Sequence, residues 1–104
     1  RRGGTRMTVD QVLAEVRGML IEIIGVEYAL SLDIGMDTSF DADLELESIE
    51  FVRLATMLKD RYGDRIDFVG FLATKDLNEI IEMTTGDLVI YIANCLALAG
   101  AIDG

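Results

Sequence analysis

The 104-residue chain is predicted to fold as a small all-α bundle of three longer helices and one short helix. Two observations predict this class. Apolar residues recur at helical steps of three and four in separate stretches of the chain. Capping signatures, which mark the starts of helices, precede the first and the last of these stretches. A long loop is predicted between the first and second helices, where helical periodicity breaks down.

The first helix is predicted to begin after Thr8, because Gln11 three residues later completes a capping box. Its apolar residues form one continuous stripe, which comprises Val9, Val12, Leu13, Val16, Met19, Leu20, Ile23 and Ile24. Two ends are compatible with this pattern. Either Gly25 stops the helix, or the helix runs on through Tyr28.

The long loop is predicted from about Ala29 to Leu46. An alternating pattern resembles a strand but has no convincing partner strand elsewhere; it involves Leu30, Leu32 and Ile34. These residues and Phe40 are expected to pin the loop to the core. Loops of this length are uncommon in compact domains and are often functional.

The second helix is predicted from about Ser48 to Tyr62, with Gly63 as its C-cap. The segment from Ile66 to Ala73 is apolar and irregular and is interrupted by Gly70, so it is predicted to be a packed connector. A short third helix is predicted with Thr74 as its cap and with three apolar residues, Leu77, Ile80 and Ile81.

The last helix is predicted to start at a second capping box, formed by Thr84 and Asp87. Gly100 is expected to close it. One face carries its apolar residues, which are Leu88, Tyr91, Ile92, Cys95, Leu96 and Ala99. Cys95 is therefore interpreted as a core residue.

The chain is predicted to be one domain spanning residues 7–104. Residues 1–6 are interpreted as a disordered tail or as residues added for expression. No stretch approaches the roughly 20 uninterrupted apolar residues of a membrane span, because Glu22 breaks the most apolar run. The basic start is followed by no apolar segment typical of a secretory signal.

The net charge of −10 argues against a nucleic-acid partner, since an acidic surface is repelled by phosphates. Between Gly18 and Val52 there is no Lys or Arg, whereas acids are frequent: Glu22, Glu27, Asp33, Asp37, Asp41, Asp43, Glu45, Glu47 and Glu50. This asymmetry predicts a face that attracts basic partners in a salt-dependent way. The alternative is a solvated acidic surface that only aids solubility.

The single cysteine excludes an internal disulfide framework and is compatible with a reducing cytoplasm, which is the expected location. With no His and one Cys, an ordinary zinc site cannot be built. The absence of His also removes Ser-His and Cys-His nucleophile systems. No catalytic residues are predicted, and an enzyme is the least expected class.

A calcium-binding module is suggested by the acidic run from Asp41 to Glu45. An EF-hand loop needs Gly at its sixth position and Glu at its twelfth. Counted from Asp41, those positions hold Leu46 and Val52; counted from Asp37, they hold Ala42 and Ser48. Both registers fail, and no metal site is predicted.

Ser48 lies at or just inside the start of the second helix, where the first backbone N–H groups have no intrahelical partner. These N–H groups and the helix dipole favour a phosphate. A serine at this position is ordinarily an N-cap. The alternative hypothesis is that Ser48 carries a phosphate-linked prosthetic group, and the residues around it favour this through the resemblance that follows.

The ordered set Ser39-Phe40, Asp43-Leu44, Glu47-Ser48-Ile49, Val52 and Leu54 closely resembles the acyl carrier protein family. The segment from Met83 to Ile92 resembles the family's entry into its last helix, and the resemblance covers roughly Thr8 to Leu98. It implies a four-helix bundle in which Ser48 receives 4′-phosphopantetheine from a transferase that uses coenzyme A and magnesium. The chain would then be a non-catalytic carrier that presents acyl or polyketide thioesters to acyltransferase- and ketosynthase-type enzymes. Homo-oligomerisation is left open by the sequence, although a small charged carrier is most simply a monomer.

The chain departs from the family pattern beside the serine. Glu47 stands where the family usually has Asp, and Glu45 where many members have Gly. Glu47 keeps the charge on a longer arm. Arg53 and Lys59 occupy turns that are often acidic in fatty-acid carriers, which favours a polyketide or other specialised pathway over housekeeping fatty acid synthesis.

Partner recognition is predicted for Asp43, Glu47, Ile49, Glu50 and Arg53. Ile49 either points outward to contact partner enzymes or packs against the long loop. Glu47 and Glu50 either pair with basic partner surfaces or stabilise the helix dipole, worth about 0.3–1 kcal/mol each. The alternative function is a small acidic helical interaction domain without a cofactor, which leaves the setting of Ser48 as a coincidence. A transferase assay separates the two.

Overall fold

The computed structural model describes residues 8–29 and 33–103, with side-chain surroundings for 8–28 and 33–97. Its helices are α1 (Val9–Ile24), α2 (Val26–Ala29), α3 (Ser48–Tyr62), α4 (Phe68–Ala73), α5 (Leu77–Glu82) and α6 (Thr85–Asp103), with a 3-10 turn at Gly63–Arg65. Within the described residues the only β-type pairing is an isolated bridge between Ser39 and Thr84. The predicted all-α bundle is confirmed. The predicted tail at residues 1–6 and the alternation at Leu30 and Leu32 lie outside the described residues.

Helix α1 begins and ends as its sequence predicts. The Thr8 hydroxyl accepts a hydrogen bond from the Gln11 N–H at 3.1 Å, and the Gln11 side chain accepts one from the Thr8 N–H at 2.8 Å. Gly25 ends the helix at a φ of 98°, in the region that favours glycine. The chain then enters the separate short helix α2, so the first of the two predicted ends is confirmed.

The core lies between α1, α3 and α6. Helix α1 packs most extensively against α6 and next against α3. Most of the fully buried side chains are aliphatic, and they include Leu20, Leu54, Leu58, Leu88 and Ile92. Burial of apolar surface, at about 25 cal/mol per Å², is therefore the main force that closes the bundle.

A polar contact joins α1 to the C-terminal end of α3. The Tyr62 hydroxyl and the Arg61 guanidinium both donate to the Glu15 carboxylate, each at 2.6 Å. Burial raises the pKa of Tyr62, and the bond to Glu15 raises it further. The same carboxylate raises the pKa of Arg61. Tyr62 is almost fully buried, so its hydroxyl needs this partner.

The segment predicted to be an irregular connector contains a helix, α4. Its N-cap is Asp67, whose carboxylate accepts from the Gly70 N–H at 3.0 Å. Phe68 is buried, and Phe71 stacks on Tyr91 of α6 with ring centroids 4.2 Å apart. The sequence does not reveal α4 because six residues are too few for helical periodicity to be recognised. Gly70, which looked like an interruption, gives room to the capping carboxylate.

Two predicted helix ends are wrong. Thr74 ends α4 and donates its hydroxyl to the Phe71 carbonyl at 2.7 Å, whereas Asp76 is the N-cap of α5. Gly100 does not close the last helix, which continues to Asp103. A glycine inside a helix costs only about 1 kcal/mol and does not stop it by itself. The capping pair of Thr84 and Asp87 is confirmed by bonds of 3.0 and 3.2 Å.

None of the helices in the described part of the chain is long and apolar enough to cross a membrane.

Candidate functional site

The loop before α3 is anchored by Phe40. Its side chain is fully buried, and its ring meets the Phe51 ring edge-on at a centroid distance of 5.8 Å. Its N–H donates to the Met83 carbonyl at 3.2 Å, and its carbonyl accepts from the Leu46 N–H at 2.9 Å. Phe40 therefore links the end of α5 to the approach of α3. The predicted pinning by Phe40 is confirmed.

The same loop is fastened to the start of α6 by backbone groups. The Thr85 N–H and hydroxyl both donate to the Thr38 carbonyl, at 2.7 and 3.1 Å. The Gly86 N–H donates to the Met36 carbonyl at 2.8 Å, and a Cβ at Gly86 would lie 2.6 Å from that oxygen. Only glycine allows this approach. Sequence reasoning missed Thr85 and Gly86, and the glycine two residues after the capping Thr84 was the available signal.

The loop start is also held to α1, since Arg17 Nε donates to the Ile34 carbonyl at 3.0 Å and Ile34 is buried. Asp43 stabilises the turn that follows Phe40. Its carboxylate accepts from the Ser39 N–H at 2.7 Å, while the Ser39 hydroxyl accepts from the Ala42 N–H at 3.0 Å. Asp43 is exposed, yet it has a structural role that the sequence did not suggest.

Glu45 adopts a left-handed backbone conformation, with a φ of 52°. This region costs an L-residue about 1–2 kcal/mol and is open to glycine without that cost. The unusual backbone lies three residues before Ser48, at the turn that directs the chain into α3.

Ser48 is the first residue of α3, and Glu47 is the N-cap. The Ser48 side chain is exposed, and its hydroxyl makes no hydrogen bond to any part of the chain that the structure describes. The helix start is stabilised instead by Glu50, whose Oε1 accepts from the Glu47 N–H at 2.8 Å. The ordinary explanation of this serine as an N-cap is therefore wrong.

Two backbone donors accompany the free hydroxyl. The N–H groups of Glu50 and Phe51 turn back to the Glu47 carbonyl, at 2.9 and 3.0 Å. The N–H groups of Ser48 and Ile49 occupy the first two helical positions and have no intrahelical acceptor. An exposed hydroxyl beside two such donors fits a phosphodiester attached at Ser48 Oγ.

The predicted partner residues on α3 lie on its first two turns. The Ile49 side chain is 65% exposed, so it points outward and does not pack against the loop. Val52, one turn on, is 60% exposed and does not join the apolar face. Glu47 and Arg53 are exposed and Glu50 is half-buried. Asp43 lies apart from these residues, in the turn after Phe40.

Within the described residues, no grouping of acidic, Cys or His side chains could hold a metal ion by itself. A cavity of about 400 Å³ lies between the second half of α3 and the segment leading into α4. Three charged residues line it, Lys59, Asp64 and Asp67, and the apolar part of the wall comprises Ala55, Leu58, Ile66, Phe68 and Val69.

Comparison with known proteins gives one family. The family model described as "Phosphopantetheine attachment site" matches residues 14–84, which include Ser48. The acyl carrier protein of Exiguobacterium sibiricum is 33% identical over 86 residues, which are 83% of this chain and 95% of that relative. The acyl carrier protein of Rhodococcus erythropolis is 29% identical over 85 residues, or 82% of this chain and 81% of the relative.

The meromycolate extension acyl carrier protein of Mycobacterium leprae is 29% identical over 86 residues, covering 83% of this chain but 65% of that longer relative. No solved structure matches the chain. The family match covers well over half of the sequence, and the helical bundle and the free serine at the start of α3 agree with it. The chain therefore belongs to the acyl carrier protein family, whose members are non-catalytic carriers that hold acyl groups on a covalently attached 4′-phosphopantetheine.

Proposed function

We propose that Ser48 is the attachment site of the phosphopantetheine arm, and that the chain presents acyl intermediates, held as thioesters on that arm, to biosynthetic enzymes. The observation that carries this proposal is the Ser48 hydroxyl itself. It is exposed at a helix start, and capping of that helix is done by other groups. A serine freed from a structural task is available for modification.

The modification is a phosphoryl-type transfer at Ser48 Oγ. The oxygen attacks the phosphorus of coenzyme A that bears the pantetheine arm, and a new O–P bond forms. The bond from that phosphorus to the adenosine 3′,5′-bisphosphate leaving group breaks, and the hydroxyl proton passes to a base on the transferase. The Ser48 and Ile49 N–H groups are placed to donate to the resulting phosphodiester. Once attached, the arm supplies a thiol for thioester chemistry.

The residues around Ser48 support a role in partner recognition. Glu47, Glu50 and the turn residue Asp43 contribute negative charge, and Ile49 contributes an exposed apolar contact. This combination suits enzymes with basic surfaces, such as a phosphopantetheinyl transferase and enzymes of the acyltransferase and ketosynthase type. Arg53 adds a positive charge, which favours partners that place an acidic group opposite it and disfavours those that place a basic one there.

The pathway proposed is a polyketide or other specialised one. Arg53 and Lys59 are both exposed and, among the described residues, form no ion pair within the chain, so their charges are available to partners. The cavity beside Lys59 offers a place where part of a cargo can rest. A cytoplasmic location is consistent with the single half-buried Cys95.

The test is the intact mass of the purified protein before and after incubation with coenzyme A, magnesium and a broad-specificity phosphopantetheinyl transferase. We expect a gain of one phosphopantetheinyl unit. Ser48→Ala should remain folded and gain nothing. Ser39→Ala, which removes a nearby hydroxyl that belongs to a turn, should be modified like the wild type. Full modification of Ser48→Ala would show that the attachment site is elsewhere.

A further inference from the structure

Helix α4 is held to the rest of the fold by few groups. Of its six residues, all of which the structure describes, Phe68 alone is buried. Phe71 and Leu72 are half-buried against the core, and Val69 is 67% exposed. A short helix with one buried anchor opens more easily than the long helices around it, because local opening costs less where fewer apolar contacts are broken.

The start of α4 is fastened to α6 by the side chain of Tyr91. Its hydroxyl accepts a hydrogen bond from the Asp67 N–H at 2.9 Å and donates one to the Asp67 carbonyl at 3.1 Å. Its ring stacks on Phe71 at an interplanar angle of 18°. Tyr91 therefore holds both the N-cap of α4, through its hydroxyl, and the middle of this helix, through its ring.

The residues that Tyr91 holds lie in one wall of the cavity beside α3. Asp67, Phe68 and Val69 line the cavity on the α4 side, and Ala55 and Leu58 line it on the α3 side. Leu58 and Phe68 are buried, whereas Asp67 and Val69 are exposed. The apolar interior therefore becomes accessible when the start of α4 moves away from α3.

The contact between Tyr91 and Asp67 lies where water can replace it. Tyr91 is half-buried and Asp67 is exposed, so both groups can form hydrogen bonds to water when they separate. Exchange of protein hydrogen bonds for bonds to water changes the free energy only slightly. Separation of α4 from α6 is therefore a low-cost motion, of the kind by which native proteins open locally.

The lining indicates what the opened cavity takes. Its charged residues are of both signs, Lys59, Asp64 and Asp67, so they favour neither an anionic nor a cationic end group. The rest of the wall is apolar. An uncharged apolar ligand is the class that such a lining accepts without leaving a buried charge unpaired.

We propose that α4 is a gate over this cavity, and that the Tyr91 side chain is the latch that holds the gate closed. In the closed state the Tyr91 hydroxyl is bonded to the Asp67 backbone. In the open state these bonds are lost, and an uncharged apolar ligand enters between α3 and α4. A ligand that binds only the open state shifts the population toward it. The gate does not depend on attachment at Ser48, so the unmodified protein serves for its test.

Amide hydrogen exchange measures the opening. The test variant Tyr91→Phe removes the hydroxyl and keeps the ring that stacks on Phe71. The Phe71 N–H donates to the N-cap carbonyl at 2.9 Å, and the Lys75 N–H donates at 3.1 Å to the carbonyl three residues earlier, so the two amides report both ends of α4. The Leu20 N–H, inside α1, reports unfolding of the whole domain. Relative to Leu20, we expect exchange at both α4 positions to become about fivefold to tenfold faster.

Binding of Nile red, an uncharged apolar dye, measures access to the cavity. The net charge of −10 does not repel this probe. Because the dye binds the open state, which is the minor one, its apparent Kd is inversely proportional to the open fraction. The factor by which Kd falls in Tyr91→Phe should therefore equal the factor by which exchange in α4 rises. Val69→Gln in the same background changes an exposed residue of the cavity wall and should raise Kd at least threefold.

The matched control is Tyr62→Phe, which also removes a hydrogen-bonded tyrosine hydroxyl, the one that donates to Glu15 of α1. It should leave the dye Kd within twofold of wild type and should change exchange at Phe71 and Lys75 only as much as at Leu20. Phe71→Leu removes the ring stack and keeps the Tyr91 hydroxyl. It should act in the same direction as Tyr91→Phe, and it replaces that variant if Tyr91→Phe does not fold.

Three results overturn the proposal. Exchange in α4 of Tyr91→Phe that stays within twofold of the control, relative to Leu20, shows that Tyr91 is not the latch. Faster exchange with an unchanged dye Kd shows that α4 opens without giving access to the cavity. Tighter dye binding that Val69→Gln leaves unchanged places the dye elsewhere on the protein.

Discussion

The loop at residues 33–47 is well packed although it has no regular secondary structure, whereas helix α5 is regular but packs poorly. The loop has no helix or strand, yet it buries Ile34, Phe40, Leu44 and Leu46 and is bonded to α1 and α6. Helix α5 has regular hydrogen bonds and a complete cap, yet buries no residue. The loop leads directly into α3 and so positions Ser48, whereas α5 leaves Leu77 and Ile81 exposed. The better-packed of the two regions is therefore the one without regular secondary structure.

The largest expected effect comes from removing the loop's anchor. Phe40→Ala should lower the free energy of unfolding by about 3–5 kcal/mol, because Phe40 is fully buried and its loss leaves a cavity. Leu77→Ala on α5 should change it by less than about 0.5 kcal/mol. Chemical denaturation of both variants is the measurement. Equal losses would mean that the loop is no better packed than α5.

At the other end of α3 the fold depends on a titratable contact. Tyr62→Phe should lower the free energy of unfolding by about 1.5–3 kcal/mol, since it removes a hydrogen bond to the Glu15 carboxylate. The pKa of Tyr62 is raised above its ordinary value of 10.0, so the folded state keeps a proton that the unfolded state loses at high pH.

The stability difference between wild type and Tyr62→Phe should therefore be complete below pH 10.0 and shrink as pH rises through the raised pKa. Denaturation curves of both proteins, recorded below and above pH 10.0, measure this difference. The bonds that fasten the loop to α6 do not titrate and should show no such change. A difference that grows with rising pH would contradict the assigned direction.

A Gly→Ala change at the contact between the loop and α6 should have the opposite effect on stability to a Gly→Ala change at an open position of α1. Gly86→Ala should lower the free energy of unfolding by about 1–3 kcal/mol, because its Cβ would meet the Met36 carbonyl. Gly18→Ala in α1 meets nothing within 4 Å and should raise it by up to about 1 kcal/mol. Melting temperatures that rise in both variants would show that the Met36 carbonyl can move away from the added methyl group at little cost.

Glu45→Gly tests whether the backbone just before Ser48 is strained. Glycine adopts the left-handed conformation without strain, but it also makes the unfolded chain more flexible, which offsets part of the gain. The net result should be a rise of about 0.5–1 kcal/mol in the free energy of unfolding. Urea denaturation measures the change. A loss of stability would mean that the Glu45 side chain contributes more than its backbone costs.

The smallest effect is expected at Ser48. Since Ser48 does not cap α3, Ser48→Ala should change the free energy of unfolding by less than about 0.5 kcal/mol. Thr8→Ala, which removes a true cap of α1, should cost about 0.5–2 kcal/mol. If the two substitutions cost the same, Ser48 has a capping role in solution.

The sequence predicts the well-packed helices better than the short ones. The bounds of α3 and the capping boxes of α1 and α6 follow from side-chain types a few residues apart, which is local information. Helix α4 was missed because six residues carry too little periodicity. The Asp76 cap of α5 was missed although Glu79, three residues later, completes a capping box that is visible in the sequence.

The environment of Ser48 was only partly predictable. The position of Ser48 at the start of α3 and the burial of Phe40 were predicted. The fit of Gly86 against Met36 joins residues 50 positions apart, and no local pattern signals such a contact. The outward direction of Ile49 also needed the structure, since it depends on where the loop runs.

The pairing of the loop with the start of α6 has a consequence for the time at which the carrier becomes modifiable. Backbone hydrogen bonds join Phe40 to Met83 and Thr38 to Thr85. The contacts that position the serine therefore span more than 40 residues of the chain. Such distant contacts form late, after their loop-closure entropy has been overcome. A nascent chain still lacking these later residues cannot hold Ser48 in its final setting. We therefore expect the proposed attachment at Ser48 to become efficient only after α6's first turn has been synthesised and the chain has folded.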